Sequence, residues 1–140
     1  MAKITFPGLS EYELMISRLS KGADDIAGKA IFAGAKIVTD KIRKNIGGLP
    51  SKTGVTKRGL EDGLGIAPLQ NENGYYNVKI GFDGYNDNKV PNVLMARLFE
   101  SGKSNVPKHP FVRPAINATR KQAEAKMVQV IDSELKKLTE

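Results

Sequence analysis

The chain contains no cysteine and no tryptophan, and only one histidine, His109, among its 140 residues. Without cysteine it has no disulfides, thiolate metal ligands or cysteine nucleophiles, and the redox compartment is left open. A single histidine argues against a zinc site. Long apolar runs are missing as well. No stretch approaches the ~20 residues that span a bilayer, and the start, Met1-Ala-Lys-Ile-Thr-Phe-Pro-Gly, lacks the apolar centre of a signal peptide. No membrane partner is expected, and folding in the cytosol is the default expectation.

The composition is that of an ordinary globular protein, with 40% hydrophobic and 26% charged residues. The length suits one domain over residues 1–140, large enough to bury roughly 68% of the surface of its unfolded chain. The net charge is +7. Lys/Arg outnumber Asp/Glu by eight to five in residues 1–48, eight to six in 49–112 and six to four in 113–140. The excess is spread thinly, which favours a solvated surface over a dedicated DNA groove, although folding can gather scattered lysines on one face.

Periodicity predicts an α+β fold: two N-terminal helices, a small antiparallel sheet built on a hairpin, and a long C-terminal helix packed on it. Ser10 and Glu13 have capping-box spacing, and Leu9, Tyr12, Met15, Ile16 and Leu19 recur at helical intervals up to Gly22. A second helix is expected from Ala23 to about Asn45, with Ile26, Ala30, Ala33, Ile37 and Ile42 as its apolar stripe and Gly47-Gly48 as its stop. Residues at about 47–63, rich in Gly, Lys and Thr, read as a mobile loop. Leu64, Ile66 and Leu69 mark a strand that Pro68 confines to a sheet edge. Tyr76, Val78, Ile80 and Phe82 alternate with Tyr75, Asn77, Lys79 and Gly81 in a second strand, joined to the first through Asn73-Gly74. Asn92 is placed to cap a short helix over Val93–Glu100 that ends at Gly102. Pro107 and Pro110 hold the next segment extended. Pro114 suits the first turn of the last helix, in which Ile116, Ala123, Met127, Val130, Ile131, Leu135 and Leu138 form the apolar face.

Signals for catalysis are weak, and an enzyme is not expected. Gly102-Lys103-Ser104 ends like a phosphate-binding loop, but the first glycine of that pattern falls on Arg97, within an expected helix. Ser51-Lys52-Thr53 lacks the second glycine. His109 has no recognisable orienting carboxylate or nucleophile and reads as a surface or turn residue. Asp24-Asp25 and Glu61-Asp62 are adjacent pairs that fit a helix start or a loop rather than a metal site. Tyr75, Tyr76 and Phe82 beside Lys79 offer a stacking platform for single-stranded nucleic acid. Strand packing is the stronger reading of those aromatics, which leaves a small basic nucleic-acid-binding protein as the alternative function.

Residues 94–116 are the most distinctive. Gly102 permits a positive φ, Pro107 and Pro110 fix φ, and Phe111 is a large apolar anchor at the end of the stiff segment. Arg97 and Glu100 are three apart on the short helix, spaced either to pair locally or to reach across a subunit boundary. Ala96, Glu100, Gly102 and Ser104, followed by Pro110, Phe111, Pro114 and Ala115, resemble the two motif runs of the bacteriophage "gene product ten" tail-component family. Met95 and Lys103 depart from the aromatic and threonine usual in that family, and Thr53-Gly54 with Leu60 resemble its loop ahead of the hairpin. The resemblance implies a non-enzymatic virion protein at the head–tail joint, made in the host cytoplasm and without cofactor or metal. It implies ring-like self-assembly, contacts to head-completion, tail-terminator or tail-tube proteins, and transient passage of DNA. The interface residues expected on this basis are Arg97, Glu100, Gly102, Lys103, Pro110, Phe111, Arg113 and Pro114, with the 47–63 loop and the 101–113 arm as the contacting segments.

Overall fold

A computed structural model describes the backbone of residues 2–5, 12–17, 24–50, 53–72 and 75–139, and the side chains of 25–50, 53–72 and 76–137. The element order is β1 (Ala2–Thr5), β2 (Tyr12–Ser17), α1 (Asp24–Ile46), α2 (Val55–Gly63), β3 (Leu64–Ile66), β4 (Gln70–Glu72), β5 (Tyr75–Phe82), α3 (Asn92–Ser101) and α4 (Val112–Thr139). The fold is α+β. Its antiparallel sheet runs β1-β2-β5-β3, with β4 also on β5.

Two helices precede the hairpin, as expected, but they are α1 and α2. Tyr12–Ser17, read above as helix, is a strand: all six residues pair with β5, from Tyr12 opposite Ile80 to Ser17 opposite Tyr75. Tyr12, Leu14 and Ile16 also recur at period two, so the local pattern was ambiguous, and the β5 ladder decided it. The flanking Leu9, Ser10, Leu19 and Gly22 lie outside the described residues. The second half of the expected loop is likewise helical, as α2.

The hairpin has its expected second arm and a broken first arm. Leu64 to Ile66 pair with Phe82 to Ile80, and Gln70 to Glu72 pair with Asn77 to Tyr75. Between them Ala67, Pro68 and Leu69 face only Val78 and Lys79, a bulge of one extra residue at the sheet edge. Proline is tolerated there because it owes the ladder no N–H, and Ala67 still donates to the Lys79 carbonyl at 2.8 Å. The connecting Asn73-Gly74 lies outside the described residues.

Tyr76, Val78, Ile80 and Phe82 form the buried face of β5. Asn77, expected on the solvated side, is buried too, opposite Met15 and Gln70 of the two adjoining strands. Helix α1 packs on the sheet and α4 packs along α1. Because α1 has neighbours on two sides, its buried face is broader than the expected stripe: Ala27, Ile31, Ala35, Val38 and Ile46 are enclosed, while Ile26, Ala33 and Ile37 are half-buried. The small side chains on α1 allow close helix approach.

The two long helices run antiparallel. Asn45 at the end of α1 donates from Nδ2 to the Phe111 carbonyl at the start of α4, 3.1 Å away, and Lys29 near the start of α1 pairs with Glu134 at 3.2 Å. Val112, Ala115, Ile116, Ala123 and Met127 are buried, but the expected core residue Leu135 is 43% exposed. Leu138 lies outside the residues whose side chains are described.

Candidate functional site

The residues singled out between 94 and 116 meet at one junction, where α3 ends, an arm of residues 102–111 turns back, and α4 begins. The junction rests on asparagine and glycine chemistry upstream. Asn92, expected to cap α3, is instead buried at its first turn behind Pro91, donating from Nδ2 to the Asp83 carbonyl at 2.9 Å. Its backbone N–H donates to the Gly84 carbonyl at 3.0 Å. Asn86 accepts at Oδ1 from the N–H groups of Asn88 (2.9 Å) and Val90 (3.1 Å), folding the β5–α3 connection on itself. Helix α2 seats against that connection through Gly59 and Gly63. A Cβ on Gly59 would collide with Asn92 Oδ1 and Asn86 Cβ, and one on Gly63 with the Asp83 carbonyl.

At the end of α3, Gly102 takes φ 68° and donates to the Leu98 carbonyl at 2.7 Å. A Cβ there would lie 2.8 Å from the Val106 carbonyl oxygen and 2.9 Å from the Lys108 nitrogen, so the position requires glycine on two counts. Lys103 and Val106 exchange two backbone hydrogen bonds, at 3.0 and 2.9 Å, and close a tight loop. His109 then donates from its backbone N–H to the Phe99 carbonyl at 2.7 Å, which ties the returning arm to α3.

The central contact is made by Glu100, whose side chain reaches from the last turn of α3 to the first turn of α4. Oε1 accepts from the N–H groups of Phe111 (2.8 Å) and Val112 (2.9 Å), and Oε2 accepts from Arg113 N–H at 2.9 Å. The residue is only 8% exposed. A buried carboxylate costs several kcal/mol of desolvation, which is offset here by three charge-assisted bonds and the positive end of a 28-residue helix. A helix start leaves four N–H positions unpaired; here Pro114 has no N–H, and the other three are satisfied from eleven to thirteen residues upstream.

Phe111, 1% exposed, anchors the same point. Its ring lies 5.7 Å from that of Phe82 on β5 and 6.5 Å from that of Phe99 on α3. Glu100 and Phe111 are thus committed within the chain, and substituting Phe111 acts on folding before it acts on any contact. Arg97, Lys103, Pro110, Arg113 and Pro114 are exposed, and Gly102 is half-buried.

These residues border three shallow depressions. One of about 320 Å³ lies on α3 beside Leu94, Leu98 and Lys103. One of about 350 Å³ lies between Ser101, Lys108 and Arg113. A third, of about 580 Å³, lies between Lys44 and Asn45 of α1 and Lys108, His109 and Pro114. Sequence reasoning missed Lys44 as part of the site, and it covered Lys108 only as one residue of the 101–113 arm. Lys44 is 64 positions from Lys108, and only the antiparallel pairing of α1 with α4 brings them together. Among the described residues, no group of three or more His, Cys, Asp or Glu is arranged to hold a metal ion, and no helix is long and apolar enough to cross a membrane.

The scaffold of strands and helices thus holds an exposed arm in place at Gly102, at His109 and through the Glu100 cap. Residues 13–102 match the model of the family described as "Bacteriophage HK97-gp10, putative tail-component", and the chain belongs to that family. The matched span runs from β2 to Gly102, so it contains Ala96, Glu100 and Gly102 but ends before the Pro110–Ala115 run. No curated protein and no solved structure matches the chain.

Proposed function

We propose that this protein is a non-enzymatic component of the head–tail joint of a tailed bacteriophage or prophage, acting in neck formation or tail completion. In this reading it assembles as a ring and contacts the neighbouring head-completion, tail-terminator or tail-tube proteins. Membership of a phage tail-component family gives the structural role. The observation that supports an assembly surface is the arm: residues 103–105 and 107–110 are exposed, yet the segment is pinned at Gly102, at His109 and by the Glu100 cap. An exposed segment that is already ordered loses little conformational entropy on docking. Cyclic rings need two different surfaces on each subunit, and α3 with the adjoining turn at Gly102 and Lys103 supplies one of them.

The test is electron microscopy of an induced lysate in which this gene alone is disrupted, beside the undisrupted control. Filled heads and separate tails are expected. Intact virions in normal number would overturn the assignment.

A further inference from the structure

The fold gathers charge that the sequence scatters. Because α1 and α4 are antiparallel, the basic last turn of α1 and the first turn of α4 lie at one end of the molecule, and the arm crosses between them. Lys44 of α1 and Lys108 and His109 of the arm line the groove of about 580 Å³ there, and none of its described lining residues is a carboxylate. Lys57 of α2 joins the same end, its Nζ donating to the Gly47 carbonyl just past α1 at 2.9 Å. Arg113 borders the adjoining depression, where the one acid, Glu100, already accepts three backbone N–H bonds. Arg43, beside Lys44 in the last turn of α1, is itself paired, with Asp40 one turn back at 3.5 Å, and is not counted in the cluster.

We infer that this basic end binds the phosphate backbone of duplex DNA without sequence preference. An acidic protein surface is the competing ligand, and the patch lacks what such an interface needs. Stable protein interfaces centre on buried apolar anchors, whereas none of the exposed large hydrophobic residues among those described, Phe32, Tyr85, Leu94, Val128 and Leu135, lines this groove. Phe111, at its floor, is itself buried. Long cationic side chains around a groove whose described lining holds no carboxylate are the footprint of phosphate contact, which positions a protein on nucleic acid without reading bases. The α4 N-terminus cannot hold the phosphate itself, because Glu100 occupies it, so the side chains carry the binding. This activity is separate from the place of the protein in the virion.

The test uses the purified full chain and a fluorescein-labelled random-sequence duplex, followed by anisotropy across salt. With about four phosphates neutralised, affinity is expected to fall roughly a hundredfold between ~50 and ~200 mM salt. The pair Lys44→Glu/Lys108→Glu is expected to weaken binding at least ~10-fold at the lower salt. Lys126→Glu/Lys137→Glu, the same change in net charge on the far part of α4, should move it less than about threefold. Equal losses from both pairs, or no binding at the lower salt, would overturn the inference. So would polyglutamate competing as well, mass for mass, as unlabelled duplex, which would assign the patch to an acidic protein.

Discussion

Glu100 shows how one side chain can set the course of a chain. Its carboxylate holds the start of the longest helix to the end of a short one, and each of its two oxygens has a defined task. Glu100→Ala is expected to leave three N–H groups at the α4 start without their partner and to cost about 3 kcal/mol or more, read by urea unfolding. Glu100→Gln keeps one acceptor but turns an amide N–H₂ toward donors, so it should fall between Ala and the parent. A Glu100→Ala protein as stable as the parent would mean that the cap contributes nothing. The sequence brought Glu100 forward by its motif spacing but gave no sign of its partner, since a cap from eleven residues upstream has no local signature.

Elements followed their sequence signals where burial agreed with local pattern. Helix α1 was expected to Asn45 and ends at Ile46, and α4 carries Pro114 in its first turn as expected. Helix α2 was not legible. Nine residues with glycines at both Gly59 and Gly63 have poor intrinsic propensity, and those glycines are there because the β5–α3 connection leaves no room for a Cβ. Gly59→Ala would gain about 1 kcal/mol in propensity, but it must displace Asn86 and Asn92. A net loss of roughly 2 kcal/mol is expected, of the kind seen on overpacking. Thermal unfolding of Gly59→Ala beside Gly28→Ala within α1, whose Cβ would have an ordinary contact at 3.6 Å, separates packing from propensity. A stabilised Gly59→Ala protein would show that α2 sits more loosely than described.

Across the whole molecule, the fold and the proposed assembly surface draw on different residues of the same motif. Phe111→Ser opens the cluster of Phe82, Phe99 and Phe111 and should cost about 3–5 kcal/mol, with any joining defect following from lost fold. Arg97→Glu/Lys103→Glu changes exposed positions only, so circular dichroism and melting temperature should stay near those of the parent while complementation of the disrupted gene fails. Full complementation by that double variant would remove α3 and the arm from the proposed interface.

The sequence by itself determined the α+β class, the two long helices, the inward face of β5 and the family, because each is written in local periodicity or in a contiguous motif. Only the tertiary structure decided that Tyr12–Ser17 is a strand, that α2 is a helix, that Glu100 and Phe111 face inward, and that Lys44 and Lys108 share a groove. Each of these depends on a partner far away in the chain, such as a β5 ladder, a close-packed asparagine, a helix start or an antiparallel neighbour. A one-dimensional pattern records the apolarity and charge of a residue but not what lies across from it, so the same lysines read as a thin scatter along the chain and become a basic end once α4 lies back along α1.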